Sequence, residues 1–441
     1  MAPRKKVKVA VPAAKAAKEP KEAAPETAPE VVEVLPEEPK VRSGSAQVSA
    51  WLNKINKNKK FQGVAQVRRA SDFSTPYYLR RPTGVMSLDV AMAGGFHAGG
   101  HAQIFGADSV GKTHLAFRTA GQVQKNYGNN ANILIVSTEI RTDKGFARTS
   151  GFCVAYSEDE IKHFTGLRKE RGMEPFSKEE LADLRKQIGS VVVVTASSGD
   201  KALDVAVSAL EEGIFQLVII ESLGALLRAD QEDASVGDKV YGGSSTILTS
   251  FVNQAYPLFI MDRADGTMLE TTLIGINQAR ANIGNTMGGT HAAAGAYAWK
   301  HGQLISVELK KGEPIYNGSA RRKIGRAVRW ELTKGKAGTH DGIKGEYNYF
   351  YVGQKDPVFW KDVELLGSQW GVDVITDLVE TAKSLDVVTG AAWLVWEENG
   401  KELGKFHGKE RMAEAIVNDY ELEQRLRTSC MLKANLPVRF K

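Results

Sequence analysis

Cysteine is scarce in this sequence: Cys153 and Cys430 are the only two among 441 residues. Two thiols exclude a disulfide framework, and they exclude a zinc ribbon or any other four-cysteine metal site. Long apolar runs are missing as well. No stretch reaches the roughly eighteen residues needed to cross a bilayer, and the N-terminus carries charge where a signal peptide has its apolar segment. These absences predict a cytoplasmic protein with no membrane partner. What is present is 42% hydrophobic residues, enough over this length to bury a core and build two or three domains of about 150 residues each. The formal net charge of +6 favours an anionic partner but is a weak signal by itself.

Composition divides the chain. Residues 1–44 hold half of the fourteen prolines, many alanines and few core residues, the signature of a disordered tail. Arg4, Lys5, Lys6 and Lys8 open that tail, and glutamates dominate its second half. Residues 45–76 read as a helix-and-strand arm. Val48, Trp51, Leu52 and Ile55 fall at helical spacing, and VAQV at 64–67 alternates like a short strand. So small a unit cannot bury its own apolar face and must pack on the main domain or on a neighbouring subunit. Residues 77–355 are α/β in pattern. The strand candidates HAQIF, NILIVS, VVVVT, FQLVII and TLIGI alternate with helical segments, which predicts a mainly parallel sheet covered on both faces. Residues 157–189 are charged and helix-favouring and read as a surface insertion. The tract from Leu304 to Phe350 reads as further strands around a basic turn containing Arg321, Arg322, Lys323 and Arg326. From residue 356 to 441 amphipathic helices return, as a small C-terminal domain. No internal repeat is visible.

GADSVGKT, residues 106–113, matches the phosphate-loop pattern and lies between the strand HAQIF and the helix HLAFRTAGQVQ, the setting that pattern requires. Backbone N–H groups of Gly106, Ala107, Asp108, Ser109, Val110 and Gly111 would curl around phosphate, with His114 following in the helix. Lys112 would reach the β and γ phosphates of ATP, and the Thr113 hydroxyl would bind Mg2+. FQLVII is followed directly by Glu221, a Mg2+ partner placed where the crevice of an open α/β sheet should lie. NILIVSTE ends at Glu139, a candidate general base for water.

With these elements in order, the chain resembles the RecA family of recombinases, including its phage members, over most of residues 46–433. The block RPTGVMSLDVAMAGGFHAGGHAQIFGADSVGKTHLAF, the segment STEIRTDKGFARTSG, the strand LVIIESLGALL and the runs INQAR and TKGK carry the resemblance. So does the C-terminal tract with GAAW and GKELGKFHGKE. The fold implied is a RecA-type phosphate-loop ATPase core with a mainly parallel sheet, an N-terminal oligomerisation arm and a small α+β C-terminal domain. The resemblance also implies site roles. Glu139 is the catalytic base, Asp143 contacts adenine, Phe146 stacks on it, and Gln278 senses the nucleotide. Lys334 and Lys336 reach the ATP of the adjacent subunit. Glu221 departs from the aspartate of the bacterial proteins, and the acidic tail that often ends them is absent.

Two loops face DNA in that family. The first would span 231–243 and offers Gly237, Lys239, Tyr241 and Gly242; the second begins at Gln278 and offers Arg280, Asn282, Gly288, Gly289 and Lys300. The stretch NQARANIGNTMGGTHAAAGAYAW, 277–299, fits a long functional loop. Its far end holds Tyr297 and Trp299, which either meet bases or belong to the core. The expected activity is DNA-dependent ATP hydrolysis coupled to filament formation on single-stranded DNA and strand exchange with homologous duplex. Single-strand-binding and loader proteins would be further partners. An ATP-gated scaffold or annealing protein remains the alternative, and a RecA-fold hexameric helicase fits less well because the required N-terminal helical domain is lacking.

Overall fold

The computed structural model describes residues 46–61, 65–69, 79–137, 143–196, 198–226, 243–263, 266–281, 291–293, 297–317, 322–336, 338–351, 371–398 and 400–436. Two compact units result, residues 1–62 and 63–441. In the first, the expected helix forms at Ala46–Asn56. Its Val48 and Trp51 remain exposed, an apolar face that this short helix cannot bury by itself. The tail expected at 1–44 lies outside the described residues.

The expected strand at 64–67 begins outside the described residues at Val64, and 65–69 take no regular structure. Side chains hold this stretch instead. Gln66 Nε2 donates to the Asp262 carbonyl at 2.8 Å, the Asp262 N–H donates back to Gln66 Oε1 at 2.8 Å, and Arg68 pairs with the Asp262 carboxylate. Alternation of apolar residues does not reveal anchoring of this kind.

The large sheet runs, in spatial order, Gly371–Val372, Lys344–Phe350, Arg322–Gly335, Ile305–Asn317, Gly100–Gly106, Thr272–Ala281, Leu217–Glu221, Asn132–Ser137, Ser190–Thr195. From Ile305–Asn317 onward all neighbours are parallel; the first three strands pair antiparallel. The five strands expected from HAQIF to TLIGI are all there. Their near-continuous apolar character follows from burial on both faces: Ile133, Ile135 and Ile219 enter one core, while the alternating Leu134, Val136 and Val218 enter the other. The helix Lys112–Tyr127 packs Leu115 and Phe117 into the first core, and Gly243–Ile260 packs Leu248 and Phe251 into the second. Ser190–Thr195 differs from expectation. Among the described residues it bonds only to Asn132–Ser137, and Val192 and Val193 are 43% and 45% exposed at the sheet edge.

The insertion forms two surface helices, Glu158–Glu170 and Lys178–Arg185, each opened by a serine–glutamate capping box. Ile161, Phe176 and Leu184 make a small satellite core beneath them. The C-terminal tract builds a three-stranded antiparallel sheet with the helices Val374–Ser384, Gly408–Asn418 and Tyr420–Lys433. Its own core includes Leu378, Trp396 and Met412, and Met86 of the helix Met86–Ala91 joins them. Ser87 fixes the contact by donating its hydroxyl to Asp377 at 2.5 Å and its N–H at 3.1 Å. The expected boundary at 356 lies outside the described residues. Among the described residues, no helix is long and apolar enough to cross a membrane.

Candidate functional site

The phosphate-loop sequence leaves the strand Gly100–Gly106 and enters the helix Lys112–Tyr127. Gly111 sits at the helix N-cap with φ of 101°, a left-handed conformation that only glycine adopts at little cost. Val110 is buried and pins the loop; Asp108 and Ser109 are exposed. The Lys112 ammonium donates to the carbonyls of Gly106 and Ala107 at 3.1 and 2.8 Å, so the cation is held over the loop that its sequence marks for phosphate. Thr113 Oγ1 lies 2.5 Å from Glu221 Oε1. The two oxygen donors meet because Leu217–Glu221 ends at the same edge of the sheet as the loop. They suit Mg2+, a hard cation commonly bound through one or two protein oxygens plus substrate phosphates. Among the described residues no group of three or more His, Cys, Asp and Glu side chains could hold a metal ion, and Mg2+ bound in this manner needs none.

His114 turns away from the loop. Its ring is buried against Tyr349 and Phe146, at centroid distances of 4.9 and 5.7 Å. Burial, and then the positive charge of Arg118, lower its pKa to about 3, so the imidazole is neutral. Any part it plays in binding falls to its backbone. Asp143 caps the helix Lys144–Thr149 by accepting from the Phe146 N–H at 3.1 Å. Phe146 is half-buried and packs on Phe117 at 6.2 Å. Glu139 lies outside the described residues. Ser137, the last residue of its strand, stands in register with Glu221.

Gln278 is the register partner of Gly106, and the buried Asn277 that of Phe105. The Gln278 side chain is exposed, while its N–H donates to Asn277 Oδ1 at 2.9 Å. The strand that reaches the second loop is therefore hydrogen-bonded to the strand that reaches the phosphate loop. Asn277 and Gln278, the two amides that close the apolar run LIGI, thus stand together beside the phosphate-loop strand.

The stretch expected to be a structureless loop has a built base. The strand continues to Ala281 and pairs antiparallel with His291–Ala293. Asn282, Gly288 and Gly289 lie outside the described residues, as do the side chain of Arg280 and the first-loop candidates Gly237, Lys239, Tyr241 and Gly242. At the far end, the helix Tyr297–Gly302 separates the two aromatics: Tyr297 is 80% exposed and Trp299 is buried. The Trp299 indole packs 4.7 Å from His101 and 6.3 Å from Phe251. It lies so close to Gly275 that a Cβ there would be 2.5 Å from the ring.

Lys334 and Lys336 cluster with the end of this helix. Lys334 donates to the carbonyls of Lys300 and His301 at 2.5 and 2.9 Å, and Lys336 reaches that of His301 at 3.5 Å. Burial, and then the charge of Lys336, lower the pKa of Lys334. Register places the pair away from this chain's own phosphate loop. Gly335 pairs with Ile305, and Ile305 with Ala102, four residues before Gly106. At about 3.3 Å per residue that is roughly 13 Å toward the opposite edge of the sheet. The side chains bond to Lys300 and His301 there.

A family model described as the RecA N-terminal domain matches residues 170–341, the span that holds Glu221, Gln278, Lys334 and Lys336. Three similar proteins, each named Protein RecA, cover most of the chain. That of Petrotoga mobilis is 22% identical over 81% of this chain and 80% of its own. That of Thermus thermophilus is 24% identical over 80% and 85%. That of Prochlorococcus marinus is 22% identical over 90% and 89%. A solved structure, that of the RadB recombinase, covers 60% of this chain and 94% of its own, at 17% identity and a TM-score of 0.34. The resemblance read from the sequence is thus borne out, and the chain is RecA-like.

Proposed function

We propose that this RecA-like chain is an ATP-dependent homologous-recombination protein that assembles as a helical filament on single-stranded DNA and promotes pairing and exchange with homologous duplex. The observation that carries the reading is the pairing of Gly106 with Gln278, which sets the root of the second loop beside the phosphate loop. A change in contacts at the γ-phosphate would bias the position of Gln278 and, through it, the order of the loop. Bound Mg2+ would neutralise developing phosphate charge. This chain's residues hold and orient: Thr113 and Glu221 offer metal ligands, Lys112 carries the cation for the β and γ phosphates, and Glu139 is assigned the proton from the attacking water.

The placement of Lys334 and Lys336 supports assembly. Residues that cannot serve their own loop can serve a neighbour's, which makes nucleotide binding depend on the filament interface. Two apolar surfaces support it further: the exposed stripe of the N-terminal helix, and the sheet edge at Val192 and Val193, where an open strand invites pairing. The protein alone should hydrolyse ATP slowly and faster once single-stranded DNA is added, read as phosphate release. An unchanged rate would count against the reading.

A second reading rests on Glu221, bonded to Thr113 and one methylene longer than the aspartate of the bacterial proteins. In it ATP gates assembly of a DNA-binding scaffold and turnover is negligible. Joint-molecule formation separates the two.

A further inference from the structure

A pocket of about 480 Å³ lies between the helix Lys112–Tyr127 and the C-terminal helix Tyr420–Lys433, outside the site described above. Its volume lies in the range of small-molecule sites. Arg80, Arg118, Lys125 and Arg427 contribute four cations to its lining, against the acids Asp89 and Glu423. Both acids are already engaged. Asp89 accepts from the Thr83 N–H and hydroxyl and from the Gly84 N–H, at 2.7, 2.8 and 2.9 Å, and Glu423 pairs with Arg427 at 2.8 Å.

Arg118 is the unexplained group. Its Nε is buried with no hydrogen-bond partner, and among the described residues neither Arg118 nor Lys125 has an ion-pair partner. Gly84 leaves room for its head, since a Cβ there would lie 2.9 Å from Arg118 Nη2. Burial, and then the charge of Arg427, lower its pKa to about 10; burial followed by Arg118 and Arg427 lowers that of Lys125. An unpaired enclosed guanidinium is costly unless an anion reaches it. The C-terminal helix adds Met431 and the 72% exposed ring of Tyr420 to the lining, beside Glu423 and Arg427.

We propose that this pocket binds a nucleoside phosphate at a site separate from the phosphate loop, the phosphate against Arg118 and Lys125 and the base against Tyr420 and Met431. The site spans the ATPase core and the C-terminal tract. Its occupancy bears on the same helix whose first turn carries Lys112 and Thr113 of the phosphate loop. This assignment is independent of the recombinase reading.

Calorimetric titration of AMP into the full chain carrying Lys112→Ala, which disables the phosphate loop, tests it. One equivalent should bind. Adding Lys125→Glu, a change at an exposed position that should leave the thermal midpoint unaltered, should weaken binding at least about tenfold by removing a charge-assisted contact. Arg118→Gln and Tyr420→Ala should do likewise; if Arg118→Gln fails to fold, the other two variants decide. No AMP binding at millimolar concentration would overturn the proposal, as would binding indifferent to Lys125→Glu and Tyr420→Ala. A short oligothymidylate that binds in a Lys125-dependent way where AMP does not would also overturn it, by assigning the pocket to a nucleic-acid strand.

Discussion

Lys112 and His114 are two positions apart and have opposite fates. Lys112 stays over the loop with its charge available, so Lys112→Ala should lower ATP turnover by about a hundredfold or more, the usual scale for loss of an electrostatic contact to the transferring group. Phosphate release measures it, and near-normal turnover would remove the loop from the mechanism. His114 is buried and neutral, with its pKa held at about 3. In the unfolded chain it takes up a proton below about 6.5, whereas the folded form does not until the pH is far lower. The unfolded state therefore gains protons first, and the contribution of His114 to stability falls as the pH drops from 6.5 toward 3. Denaturant titrations at pH 7 and pH 5 should show wild type losing more stability than His114→Gln, by up to about 1.4 kcal/mol per pH unit. Equal losses would mean that the imidazole is solvated. The burial-raised pKa of Asp89, about 7, acts with the opposite sign, which is why the comparison is made between variants.

The second loop depends on an element at each end. Its entry strand is locked to the phosphate-loop strand through Gly106 and Gln278, and its exit is anchored by Trp299, wedged over Gly275 in the second core. Trp299→Ala should cost about 3–5 kcal/mol of stability, the scale for emptying a buried aromatic site, and thermal denaturation reads it. A shift of less than a degree or two would place the ring outside the core. The parallel strands were legible because burial on both faces leaves unbroken runs of Val, Ile and Leu, and the phosphate loop because its spacing is tied to one geometry. Other features were hidden. VVVVT looks the same at a sheet edge as at its centre, because composition does not count hydrogen-bonded neighbours. GAYAW does not say which aromatic turns inward until Gly275, more than twenty residues earlier, makes the space. His114 follows the motif in sequence, but one helical step rotates it toward Tyr349. The cluster of Lys334 with Lys300 joins segments that only the antiparallel return brings together.

If Lys334 and Lys336 serve the phosphate loop of the next protomer, each ATP site in the assembly is finished by its neighbour. Lys334→Ala combined with Lys336→Ala should leave the thermal midpoint and secondary structure nearly unchanged, since both side chains cap a short helix near the surface. The same variant should lose ATP-dependent filaments in electron micrographs, and filaments of normal length would contradict the assignment. The N-terminal helix, with Val48 and Trp51 uncovered, offers such a contact a second surface. The most direct measurement is joint-molecule formation between circular single-stranded DNA and homologous linear duplex, with ATP and Mg2+ present. Joint molecules should form, require homology and ATP, and vanish with Lys112→Ala. Filaments that coat single-stranded DNA yet never pair it with homologous duplex would contradict the recombinase claim and leave an ATP-gated scaffold.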